Sequence, residues 1–73
     1  MTEEQMHDRI AKAYPNAELA VIDLTGTQDH WEVRIADQSL NELPRIKRHK
    51  AIMGLFSEEL ASGEVHALSI RTL

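Results

Sequence analysis

Four histidines and no cysteine set the chemistry open to this 73-residue chain. Without thiols there is no disulfide, no thiolate ligand and no nucleophilic or redox sulfur, so any metal must be met by imidazole or carboxylate. His30 follows the polar run Thr25-Gly26-Thr27-Gln28-Asp29, and His66 stands at the head of the apolar run Ala67-Leu68-Ser69-Ile70. On residue type alone, His30 reads as a solvated loop histidine and His66 as a satisfied, half-buried one. His7 lies near the exposed edge of a helical stretch and carries no specific role. His49 falls on the apolar stripe of a second helix, where packing is the expected role; a protonated ring there would also face the positive end of the helix.

The other concentration is charge. Arg45, Lys47, Arg48 and Lys50 are half of the eight basic residues, placed within six positions of a chain whose net charge is −4. The balance argues against a dedicated polyanion binder, and it makes this cluster the place where an anion would dock. Four cations at a helix start also need an offset, because that end of the dipole is positive. Phosphate contacts from a basic helix N-terminus would be one such offset. There is no Gly-x-x-Gly clamp, and the aromatics are only Tyr14, Trp31 and Phe56, which argues against RNA recognition by a KH-type groove. Nothing resembles a serine-histidine-acid arrangement, a phosphate loop or paired buried carboxylates, so the chain reads as a non-enzyme.

These residues must be positioned by short elements. Thr2 and Gln5 have capping-box spacing, Glu3 and Glu4 suit a helix N-terminus, and Met6, Ile10 and Ala13 recur at helical spacing up to Pro15. A first helix is expected over residues 3–14. Residues 19–24 form a short apolar run with β-branched Val21 and Ile22, and Trp31, Val33 and Ile35 alternate with Glu32 and Arg34. Two strands of a hairpin follow, with Trp31 in the core. Residues 37–44 are expected to be a connector, with an extra helical turn around 44–47. A helix then runs from the basic cluster to residue 61, with Ile52, Met53, Phe56, Leu60 and His49 on its core stripe. Ser62-Gly63 ends it, and residues 65–71 form a third strand.

A strand-helix-strand crossover in one sheet joins parallel neighbours. Strand three should therefore lie parallel to strand two, which brings His30 and His66 to the same end of the sheet although 36 positions separate them.

With 42% hydrophobic and 27% charged residues the chain belongs among folded domains rather than disordered ones. Residues 1–73 form one domain, of a size that buries only about 60% of its unfolded surface. No apolar run approaches the roughly 20 residues of a membrane span, and the Met-Thr-Glu-Glu start is acidic where a targeting peptide is basic. A cytoplasmic protein is expected.

Arg48-His49-Lys50, Leu55, Glu58-Glu59-Leu60 and Val65-His66-Ala67-Leu68-Ser69-Ile70, with Gly26 and Asp29-His30-Trp31 before them, resemble the signature of the BolA-like family. Where that family usually has Phe-x-Gly before the basic cluster, this chain has Leu40-Asn41-Glu42. The resemblance implies an α+β fold, helix-strand-strand-helix-strand with a three-stranded mixed sheet, similar to the type II KH fold. It also implies an accessory role in iron-sulfur cluster assembly or trafficking, through a 2Fe-2S-bridged heterodimer with a monothiol glutaredoxin and glutathione. His66 and His30 then take the positions of the family's metal ligands. Two histidines cannot complete a cluster's shell, so the remaining ligands would come from the partner. The basic cluster Arg45, Lys47, Arg48 and Lys50 would dock the glutaredoxin. The alternative implied by the family is a DNA-binding transcriptional regulator acting through the same cations. Without a cluster, a monomer or weak homodimer is expected.

Overall fold

The computed structural model describes every residue from Met1 to Leu73. Helix α1, Glu3–Ala13, begins at the anticipated capping box: the Gln5 N–H donates to Thr2 Oγ1 at 3.1 Å, and the Thr2 N–H donates to Gln5 Oε1 at 2.8 Å. It ends where Tyr14 leaves helical geometry ahead of Pro15. Its inward residues, Met6 and Ile10, are fully buried.

Strand β1, Glu18–Asp23, pairs antiparallel with β2, His30–Ala36. Strand β3, Ala67–Thr72, lies parallel on the other side of β2, giving the order β1-β2-β3. Trp31, Val33 and Ile35 project from one face of β2 into the core and are at most 1% exposed. Glu32 and Arg34 face the other way and bond each other at 2.8 Å. The expected α+β order and mixed sheet are therefore present.

The crossover differs from the expected single helix. It consists of α2 (Gln38–Asn41), α3 (Arg45–Gly54) and α4 (Ser57–Ser62). The separate extra turn lies before Pro44 rather than after it, inside the stretch expected to be a connector. Asp37 caps it, accepting from the Leu40 N–H at 3.1 Å and from the Ser39 hydroxyl, so that Leu40 enters the core. Glu42 has ordinary right-handed geometry, so no glycine is required there. The break between α3 and α4 follows Gly54, a poor helix former. There the Leu55 and Phe56 N–H groups donate three residues back, to Ile52 O and Met53 O, and Phe56 leaves helical geometry to bury its ring completely. Gly63 ends α4 at φ 85°, a left-handed cap.

His49 is a correction. It is exposed, not part of the core. The angular stripe is right for Ile52 and Phe56, but in the first turns of α3 His49 lines a solvent-open cleft with Arg45, Ile70, Arg71, Thr72 and Leu73 instead of packing into the core. Ile46, in the same turns, is 65% exposed.

Candidate metal-binding site

His30 is the first residue of β2 and sits opposite Ala67, the first of β3. His66 stands one residue ahead of that pairing. Its N–H and that of Ala67 both donate to the Asp29 carbonyl, at 2.8 and 3.2 Å, which ties the start of β3 to the start of β2. The two imidazole rings lie parallel within 7°, with centroids 5.9 Å apart. His66 is exposed and the His30 side chain is 43% exposed, so both rings are reachable from solvent. The sheet thus joins the two histidines that the crossover rule placed together.

The loop before His30 is tightly bonded. The Asp23 carboxylate accepts from the Gly26 N–H at 2.9 Å and from the Gln28 N–H at 3.1 Å. Gly26 and Gln28 both have positive φ, 74° and 60°. For Gln28 this costs about 1 kcal/mol, and the Asp23 bonds offset it. The folded loop brings Asp29 Oδ1 to the Thr27 hydroxyl and to His30 Nδ1, the latter at 2.9 Å. Thr25 Oγ1 extends the chain, 2.5 Å from Thr27 Oγ1. Hydrogen bonds from Thr27, then from His30, and the nearby His30 and His66 charges hold the Asp29 carboxyl down at about 2. Sequence reasoning did not single out Asp29; its position next to His30 was the available signal.

The four cations lie elsewhere. Arg45 and His49 line a cleft with Ile70, Arg71, Thr72 and Leu73, at the far end of β3. Thr72 pairs with Ile35 and Ala67 with His30, so five residue steps, about 17 Å, separate this end from the histidines. Lys47 and Lys50 are exposed on α3. Arg48 is engaged: its Nε donates to Leu43 O at 2.8 Å and its Nη2 to Asn41 O at 3.0 Å, binding the end of α2 to α3. Arg71 adds a cation from β3 that the cluster in the sequence did not include. His7 stays at the surface, 3.7 Å from Asp8.

No group of three or more histidine, aspartate or glutamate side chains is placed to hold a metal ion. The donor set at the histidine end is two imidazoles. Two imidazoles do not by themselves complete the shell of a metal ion.

The BolA-like protein family model matches residues 3–73. An uncharacterised protein of Rickettsia prowazekii is 33% identical over 70 residues, spanning 96% of this chain and 90% of that one. A protein from the rpoN-murA intergenic region of Acinetobacter guillouiae is 33% identical over 73 residues, spanning all of this chain and 84% of its own. Among solved structures, BolA1 from Arabidopsis thaliana superimposes with a TM-score of 0.84 at 28% identity, covering 96% of this chain and 87% of that one. The BolA domain of SufE1 from the same plant gives 0.83 at 29% identity, with the same coverage.

Proposed function

This chain belongs to the BolA-like family, and on that premise we propose that it is an accessory protein of iron-sulfur cluster assembly or trafficking. Its cargo is a 2Fe-2S cluster shared with a monothiol glutaredoxin and glutathione, to which His30 and His66 contribute the imidazole ligands. The observation that carries this is the parallel pairing of β2 and β3, which sets two solvent-reachable imidazoles side by side. The chain has no sulfur nucleophile and no third convergent donor, so a partner bearing thiolates completes the shell. Imidazole in place of thiolate raises a cluster's potential and makes ligation depend on a neutral ring.

No helix is long and apolar enough to cross a membrane. The DNA-binding alternative draws on the four cations of α3, of which Arg48 is held by backbone carbonyls. The same cations are a poor dock for a glutaredoxin that reaches the histidines, since Arg45 opens on the other end of the sheet.

The test is anaerobic reconstitution of this protein with a monothiol glutaredoxin and glutathione, followed by visible circular dichroism and the rate of cluster loss. His66→Ala and His30→Ala should each change the spectrum and speed the loss. If both variants give the wild-type spectrum and lifetime, the ligand assignment is wrong.

A further inference from the structure

Asp29 touches both histidines through different groups. Its carbonyl accepts from the His66 and Ala67 N–H groups, and its side-chain Oδ1 lies 2.9 Å from His30 Nδ1. A carboxylate has no proton to give, so this bond requires the proton on His30 Nδ1. A neutral imidazole has only one N–H, which leaves the lone pair on Nε2, the nitrogen turned away from Asp29.

We propose that Asp29 is the positioning residue of the site: it holds His30 as the Nδ1–H tautomer with Nε2 open to a metal, while its carbonyl fixes the backbone of His66. A carboxylate on the far nitrogen of a metal-binding histidine orients the ring and raises its basicity. The geometry for this is built before any metal arrives. Thr27 bonds the same Oδ1, and the Asp23 bonds to Gly26 and Gln28 hold the loop in the shape that delivers the carboxylate to the ring. The ligand-positioning part rests on reading His30 and His66 as cluster ligands; the tautomer does not.

Two measurements separate those parts. Long-range 1H–15N correlation spectra of the protein alone, above the ordinary imidazole pKa range, should show His30 protonated on Nδ1. Asp29→Asn keeps the carbonyl that bonds His66 but offers an amide that can donate to Nδ1, so it should shift His30 toward the Nε2–H tautomer. Thr27→Val should leave the Nδ1–H form in place. A wild-type ring protonated on Nε2, or a tautomer unmoved by Asp29→Asn, overturns the proposal whether or not a cluster ever binds. In the reconstituted glutaredoxin complex, Asp29→Asn should release the cluster roughly 10- to 100-fold faster, as loss of an outer-shell partner does. A shifted tautomer with unchanged release refutes positioning of a ligand.

Discussion

The contact between α1 and α4 offers a test of how the segment leading to His66 is held. Arg9 Nη1 donates to Glu59 Oε1 at 2.6 Å and to Leu55 O at 3.0 Å, and the guanidinium lies 5.2 Å from the Phe56 ring centroid. Glu59 in turn accepts the Val65 N–H on its carbonyl at 3.1 Å, one residue before His66. The Arg9 side chain is 38% exposed and that of Glu59 15%, so the pair lies between an exposed bridge, worth 0–1 kcal/mol, and a buried one whose breaking costs about 3–5 kcal/mol. A double-mutant cycle of Arg9→Met and Glu59→Gln should give a coupling of about 1 kcal/mol. Arg9→Met alone should cost about 1.5–2 kcal/mol, because the Leu55 carbonyl and the Phe56 ring also lose a partner. That is a large share of the roughly 4–11 kcal/mol expected for a domain this small, and should lower the midpoint by roughly 6–16 °C. Urea titrations at neutral and acid pH provide the assay. The Arg9 bond holds the Glu59 carboxyl below its usual range, so its stabilisation is complete above the ordinary glutamate pKa and is lost as pH falls through the lowered value. Coupling under about 0.3 kcal/mol at neutral pH, within the scatter of independent sites, or coupling that grows on acidification, would refute this account.

Arg48→Ala should destabilise the fold by about 1 kcal/mol in urea through its two lost carbonyl bonds, whereas Lys47→Ala and Lys50→Ala should stay within about 0.5 kcal/mol. Equal effects at all three positions would contradict the α2–α3 clamp. An NMR titration of Asp29 should give a midpoint of about 2, moving back toward 3.8 in Thr27→Val; the bonds this carboxylate makes stabilise the loop above 3.8 and are lost as pH falls toward 2. Two glycine-to-alanine changes should have opposite signs, each read from the urea midpoint. An added Cβ meets nothing within 4 Å at either position. Gly63→Ala should therefore lose about 1 kcal/mol to its left-handed φ, and Gly54→Ala, at the last residue of α3, should gain up to about 0.5 kcal/mol.

The capping box, the pre-proline stop of α1 and the alternation in β2 are local signals, and those elements appear within a residue or so of where they are expected. The meeting of His30 and His66 is long-range, yet it was legible because a crossover between strands of one sheet leaves few choices of direction. A helical stripe reports angle without reporting how far the core extends along the axis, so His49 shared a face with Ile52 and still lies in a solvent-open cleft. The same wheel, carried through Gly54, assumed one continuous helix, although Phe56 reaches the core by interrupting it. Helix α2 has only four residues, too few for periodicity; its signal was Asp37 as a cap ahead of Leu40. The role of Asp29 depends on two left-handed residues, and one of them, Gln28, is not a residue type that announces such a turn.

The shared Asp29 carbonyl makes the histidine pair a product of completed folding. In the unfolded chain no short segment contains both rings. They meet only after the whole α2–α3–α4 excursion has returned β3 to β2, closing a loop of 36 positions. A slip of one residue in the β2–β3 register would turn the side chains of one strand to opposite faces and separate the rings. On the proposed reading of the pair as cluster ligands, cluster affinity should therefore track native-state integrity closely. Protection of the His66 and Ala67 amides from hydrogen exchange would report the fraction of molecules in which the two rings are held together.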